Sequence, residues 1–254
     1  MNQFDLSGRT AIITGGNGGL GLAMARGLAG AGAAIAIAAR DENKGRTAAA
    51  QLRDAGLRCS FYGFDVSSAS SCRTMVERAV EDFGRCDILI NNAGTTVRKR
   101  PEQISEQEWR QVLDVNLGGA LFCAQAAYPH MKAAGGGKIV NIGSMYSLFG
   151  APVVAPYAAS KGGLVQLTRS LACAWAADNI QVNAILPGWI NTDLTKSARQ
   201  QIEGLHQSVL ARTPAGRWGE PEDLTGAAIF LSSRASDFVT GAVLPVDGGF
   251  SVRG

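Results

Sequence analysis

Histidine is scarce in this 254-residue chain: His130 and His206 are the only two, and neither lies in a His-Glu-x-x-His pattern. With no cysteine cluster beside them, no set of metal ligands emerges, and we expect no metal. The five cysteines, Cys59, Cys72, Cys86, Cys123 and Cys173, are scattered, odd in number and free of any Cys-x-x-Cys pair. That argues against a disulfide framework; they read as small hydrophobes in a reducing compartment. No apolar run approaches the roughly 18 residues a membrane span needs. The N-terminal stretch from Met1 to Arg9 lacks the basic-then-apolar order of a secretion signal. A cytoplasmic protein without membrane contact is the expectation. Charge of one sign is lacking too: 24 Lys and Arg against 21 Asp and Glu leave a net +3. The densest basic run, Arg98-Lys99-Arg100, is too short for a nucleic-acid footprint.

The sequence is rich in glycine, 32 residues with no collagen-like period and no internal repeat. Apolar residues at 46% and charged residues at 18% are ordinary for a globular domain with a sizeable core. Short β-branched runs alternate with longer amphipathic stretches. Strands are expected at Thr10–Thr14, Ala34–Ala39, Arg58–Phe64, Asp87–Asn91, Lys138–Ile142, Ile180–Leu186 and Ala242–Val246. Helices are expected at Leu20–Ala31, up to Ala55, at Ser68–Phe83, Ser105–Ala133 and Pro156–Ala177, and at Glu220–Ser232, which Pro221 opens. Strands joined by helical crossovers form a parallel sheet covered on both faces. The expected fold is therefore α/β, a doubly wound Rossmann sheet of about seven strands, with residues 1–254 as one domain. The polar, poorly periodic segment 191–218 interrupts the alternation and is a candidate lid.

The first strand runs directly into Thr14-Gly15-Gly16-Asn17-Gly18-Gly19-Leu20-Gly21 and then a helix. Such a loop brings backbone N–H groups and a helix N-terminus against a pyrophosphate with no Cβ in the way. Gly15, Asn17, Gly19, Leu20 and Gly21 are the candidate contacts; a plain glycine-rich turn is the alternative. The end of the second strand reads Ala39-Arg40-Asp41. An acid at position 39 would bind a ribose 2′-OH; its absence, with Arg40 following, favours NADP(H) over NAD(H). The bland reading makes Asp41 a helix N-cap and Arg40 its solvated neighbour. No basic residue inside the glycine loop reinforces the NADP(H) reading.

Tyr157-Ala-Ala-Ser-Lys161 places a phenol and an amine four apart on one helix face. A Tyr beside a cation is suited to donate a proton to a developing alkoxide. Ser144 follows the strand at Lys138–Ile142, on the carboxyl edge where such sheets build sites. Hydrolysis is unsupported, because Gly143-Ser144-Met145 lacks the second glycine of a nucleophile elbow.

Taken in order, Thr14-Gly-x-x-x-Gly19-x-Gly21, Asp65, Asn91-Asn92-Ala93-Gly94, Asn116, Ser144, Tyr157-x-x-x-Lys161, Pro187-Gly188 with Thr192, and Asp247-Gly248-Gly249 resemble the short-chain dehydrogenase/reductase family over the whole chain. The resemblance implies an NAD(P)(H)-dependent oxidoreductase interconverting a ketone and a secondary alcohol. It makes Tyr157 the general acid/base, with Lys161 lowering its pKa and holding the nicotinamide ribose. Ser144 would hydrogen-bond the substrate oxygen, and Asn116 would hold a water of a proton relay. Asp65 with Val66 would meet the adenine, Asn92, Ala93 and Gly94 would line the cofactor, and Pro187, Gly188, Ile190 and Thr192 would meet its nicotinamide end. For Asn92 and Asn116, backbone bracing stands beside these roles. Members of the family commonly form homotetramers through their long helices, here Ser105–Ala133 and Pro156–Ala177, where Gly162-Gly163 permits close approach or serves packing on the sheet.

Arg98 lies just beyond the carboxyl end of the fourth strand, where a guanidinium can take a substrate carboxylate. A solvated basic loop is the alternative. Ser144-Met145-Tyr146-Ser147 and Thr213-Pro-Ala-Gly-Arg-Trp-Gly219 are similar to the sugar-acid members of the family. Arg98, Ser144, Met145, Tyr157 and Trp189 are the candidate substrate residues for a keto-sugar acid. A 3-oxoacyl-thioester reductase of the same fold is the second reading. A non-catalytic nucleotide-binding regulator is the third.

Overall fold

The computed structural model describes residues 2–253, the side chains of residues 194 and 201 excepted. The expected domain ends, Met1 and Gly254, lie outside the described residues. Seven strands form one sheet: β1 Thr10–Thr14, β2 Ala34–Ala39, β3 Cys59–Gly63, β4 Ile88–Asn91, β5 Gly137–Ile142, β6 Ile180–Pro187 and β7 Val243–Val246. Their order is β3-β2-β1-β4-β5-β6-β7, and every neighbouring pair is parallel. The order reverses between β1 and β4, where Thr14 stands level with Asn91. A crevice opens beyond the carboxyl ends of the strands at such a reversal.

The helices are α1 Gly19–Gly30, α2 Glu42–Asp54, α3 Ala69–Phe83, α4 Glu106–Leu113, α5 Gly119–Ala133, α6 Ala155–Trp175, α7 Asp193–Gln201, α8 Leu205–Arg212 and α9 Thr225–Ser232. Central strands are apolar on both faces because both are covered. On one face Ile13, Ile35 and Ile37 pack with Met24, Leu28 and Leu52 of α1 and α2 and with Leu231 of α9. On the other, Ile12, Leu89 and Ile139 pack with Met75 and Val76 of α3 and with Cys123, Ala127 and Met131 of α5. Each of the Ile, Leu, Val and Met side chains among these contributes about 1.5–3 kcal/mol by leaving water. Among the described residues, no helix is long and apolar enough to cross a membrane.

Three expectations need correction. The single helix over Ser105–Ala133 is two helices joined by a π turn, Asp114–Gly118, which shifts the phase of everything after it. The segment 191–218 is not irregular, since it holds α7 and α8. Thr192 caps the first with a reciprocal Thr195 pair, and Gly204, at φ 71°, introduces the second. The helix expected over Glu220–Ser232 opens with a 3-10 turn, Pro221–Leu224, before α9.

Candidate active site

The glycine loop is built for close approach. Gly15 and Gly19 take φ of 64° and 49°, open to glycine with little strain. A Cβ on Gly21 would stand 2.3 Å from the Gly15 carbonyl oxygen. The N-cap of α1 is Gly18, which offers no side-chain bond, so the first-turn N–H groups carry no side-chain cap. Uncapped donors at a helix N-terminus, beside a Gly21 that leaves no room for a Cβ, fit a dinucleotide pyrophosphate.

A cavity of about 470 Å³ extends from this loop across the ends of β4, β5 and β6. Of the expected cofactor residues, Asn17, Gly19, Leu20, Asn92, Gly94, Lys161, Pro187, Gly188, Ile190 and Thr192 line it, as does Tyr157. So do all the expected substrate residues, Arg98, Ser144, Met145, Tyr157 and Trp189. Gly15, Gly21, Asp65, Val66, Ala93 and Asn116 do not line it. Arg40 lies outside it, on a separate shallow hollow with Ser67 and Ser105. The Asp65 carboxylate accepts from the backbone and hydroxyl of Ser67, at 3.0 and 2.7 Å, which with the charge of Arg40 holds its pKa low. Val66 is buried, packed where a Cβ on Gly119 would collide with it. Asp41 is indeed the N-cap of α2, accepting from the Lys44 N–H at 2.9 Å.

Two asparagines act as braces. The Asn92 carboxamide nitrogen donates to the carbonyls of Thr14 and Gly15. Asn116, at the π turn, accepts from the Thr95 N–H at 2.8 Å and donates to the Thr95 carbonyl at 2.9 Å. Its second amide hydrogen goes to the Ser160 hydroxyl at 3.0 Å, and that hydroxyl donates to the Tyr157 carbonyl at 2.7 Å. The loop after β4, the π turn and α6 are thereby tied together beside the cavity.

Ser144 leaves β5 in extended backbone and caps a 3-10 turn, Met145–Ser147. The turn is fixed to α6 through the Ser147 hydroxyl, which donates to the Lys161 carbonyl at 2.9 Å. Burial pushes the Tyr157 phenol up, opposed by its hydrogen bond with the Ser144 side chain and by the charge of Arg98. Burial of Lys161 pulls its amine down to about 8. That ammonium donates to the Ile142 carbonyl at 2.7 Å and stands 5.7 Å from the centre of the Tyr157 ring.

Within the basic run, Lys99 pairs with Glu108 and Arg100 with Glu102, whereas Arg98 faces the cavity. Its charge lowers both the Tyr157 and Tyr146 phenols against the upward push of burial. Tyr146 was not anticipated as a wall of the site. It packs edge-on against Tyr157 at 6.1 Å and Trp189 at 6.3 Å, and Trp189 packs on buried Trp218 at 5.6 Å. Arg199 of α7 covers the Trp218 ring at 4.1 Å, and His206 of α8 stacks on it at 6.2 Å. The aromatic chain thus runs from the phenol to α7 and α8. Lys44, Thr95 and Thr96 also line the cavity and were not anticipated; only their fold neighbours reveal them.

A sequence profile described as enoyl-(acyl carrier protein) reductase matches residues 15–251. The chain is 41% identical to gluconate 5-dehydrogenase of Gluconobacter oxydans (strain 621H) over 249 residues, covering 98% of this chain and 97% of that one. It is 42% identical to 2-dehydro-3-deoxy-D-gluconate 5-dehydrogenase of Dickeya dadantii (strain 3937), covering 100% and 99%. Among solved structures, a gluconate 5-dehydrogenase from Burkholderia cenocepacia J2315, in complex with NADP and tartrate, superposes with a TM-score of 0.95 at 43% identity, covering 100% and 99%. On this sequence, fold and site, the chain belongs to the short-chain dehydrogenase/reductase family.

Proposed function

We propose that this protein interconverts a keto group and a secondary alcohol on a sugar acid, using NADP(H) in preference to NAD(H). The observation that carries the substrate class is Arg98, a guanidinium facing the cavity and close enough to lower the Tyr157 phenol. A carboxylate held there bidentately would set the chain of a keto-gluconate, a keto-deoxy-gluconate or a uronate-derived keto acid across the Ser144–Tyr157 pair. The tartrate of the Burkholderia structure is itself a hydroxy acid, and the relatives named above act on sugar acids of this kind.

When bound, a nicotinamide supplies or accepts the hydride. The residues handle the proton. Burial keeps Tyr157 in its phenol form near neutral pH, ready to protonate the oxygen that becomes the alcohol. Ser144 bonds that same oxygen and fixes its distance from the phenol. Lys161 brings positive charge beneath the ring, its position set by the Ile142 carbonyl. The aromatic wall of Tyr146 and Trp189 excludes water from the other side. We assign the glycine loop, Asn92 and Thr192 to cofactor placement, and Arg40 to the 2′-phosphate.

The assembly we propose is a homotetramer. Gly163 is occupied within the chain, since a Cβ there would meet Leu117 at 3.0 Å, whereas Gly162 opens outward and suits a second copy. A cytoplasmic location agrees with five unpaired thiols.

The deciding experiment follows NADPH and NADH oxidation with keto-sugar acids, neutral keto-sugars and an acetoacetyl thioester. We expect turnover with the acids, faster with NADPH, with Arg98→Ala raising KM for the acids at least tenfold and sparing neutral ketones. Turnover confined to the thioester would move the enzyme to acyl-chain chemistry. Absence of turnover with intact nucleotide binding would favour a regulator.

A further inference from the structure

The preference for NADP(H) rests, in the sequence, on the missing acid at position 39 and on Arg40 as the one cation, because the glycine loop carries no basic side chain. The fold supplies a cation there from elsewhere. Asp41 caps α2 by accepting from the Lys44 N–H at 2.9 Å, which fixes Lys44 in the helix's first turn, on the side of the glycine loop. The Lys44 ammonium comes within 4.0 Å of where a Cβ on Gly18 would stand. It therefore enters the space a basic side chain at position 18 would have filled.

Among the described residues lining the cavity, the cations are Lys44, Arg98 and Lys161, and the anion is Asp193. Arg98 faces the substrate end and Lys161 lies beneath Tyr157, so the glycine-loop end has Lys44. Its partner is Asp193, the first residue of α7, with Nζ and Oδ2 3.9 Å apart and both side chains largely exposed. A pair that long and that wet is held weakly. Asp193 also has Lys196 at 3.9 Å, so it keeps a partner if Lys44 turns away. A doubly charged phosphate entering between the loop and α7 is the stronger ligand for that ammonium.

We propose that Lys44 is a cofactor-phosphate ligand and a determinant of dinucleotide choice, with Asp193 competing for its ammonium from the lid. The proposal rests on the dinucleotide reading above. It joins the cofactor to the lid, because the anion that Lys44 leaves behind stands next to Thr192 at the start of α7.

The test is binding, not turnover: fluorescence titration of the full-length enzyme with NADPH and NADH. Wild-type binding decides the cofactor reading by itself, and the ratio of variant to wild type decides the role of Lys44. We expect Lys44→Met to weaken NADPH about five- to tenfold and Lys44→Arg to stay within about twofold of wild type. Asp193→Asn should tighten NADPH about two- to threefold and lose most of that gain in a Lys44→Met background. A loss confined to NADPH assigns the ammonium to the 2′-phosphate; an equal loss for NADH leaves Lys44 as a pyrophosphate ligand and overturns its part in dinucleotide choice. Lys44→Met binding both dinucleotides within twofold of wild type, while circular dichroism shows it folded, overturns the proposal.

Discussion

A single nitrogen of Asn92 donates to two consecutive carbonyls, Thr14 at 3.0 Å and Gly15 at 3.1 Å. The end of β4 thereby holds the first turn of the glycine loop, with the Asn92 N–H returning the contact to the Thr14 hydroxyl at 3.0 Å. The brace works by backbone geometry, so its loss should be felt wherever the loop is used.

Asn92→Ala leaves two loop carbonyls short of a donor, at a cost of about 1–3 kcal/mol. For a chain of this size that lowers Tm by about 2–4 °C per kcal/mol. Calorimetry should show the drop, and the Kd for NADPH should rise with it. Asn92→Asp should be worse, since a carboxylate would face the same two oxygens with no hydrogen to offer. Unchanged Tm and Kd in both variants would show that the brace does not shape the loop.

Tyr157→Phe removes the hydroxyl to which the proposed function gives the proton and leaves the ring packed on Tyr146. Turnover should fall by about 10²–10⁴, with NADPH affinity within about twofold of wild type. Stopped-flow measurement of single-turnover hydride transfer separates this from a binding defect. A variant retaining full turnover would remove Tyr157 from the chemistry.

Lys161 carries its charge in a buried place, with a carbonyl as its hydrogen-bond acceptor. Its amine is drawn from 10.5 to about 8 by burial. In the unfolded chain the amine holds its proton up to its ordinary range, so between those values unfolding takes up a proton and stability rises with pH. Below pH 8 the burial of the charge costs on the order of 3 kcal/mol. Lys161→Met should therefore abolish turnover while matching or exceeding the wild-type Tm at pH 7. The advantage of Met should shrink as pH is raised from 8 toward 10.5. A Met variant less stable at pH 7, losing further ground at lower pH, would contradict this account.

Much of the fold is legible in the residues, because buried parallel strands must be apolar on both faces. Thr10–Thr14 and Ala34–Ala39 stand where periodicity puts them. The glycine loop and the Ser144–Tyr157–Lys161 set are equally plain, since few residue types can fill those places. What escapes is whatever depends on partners distant in the chain. Residues Asp114–Gly118 are all compatible with an ordinary helix, so nothing local announces the π turn. The helices of 191–218 are hard to read because α7 and α8 pack on Trp218 through Arg199 and His206. Lys44 sits in a polar helix turn where a surface cation is the ordinary reading, and only its approach to Gly18 distinguishes it. Asn116 has a candidate role in a water relay, and the fold shows its carboxamide joining Thr95 to Ser160.

The π turn has a consequence for how this region can change in length. Each residue added to or removed from a helix rotates the remainder of that helix by about 100°. The turn at Asp114–Gly118 accommodates one residue too many for a continuous α-helix, so α5 presents Cys123, Ala127 and Met131 to the sheet only while that extra residue remains. A one-residue deletion there would regularise the helix. It would also swing the apolar face of α5 toward solvent or pull Asn116 off Thr95. Insertions and deletions should thus be tolerated at the Ala134–Gly136 turn and selected against here, making helix phase, and not helix composition, the inherited trait.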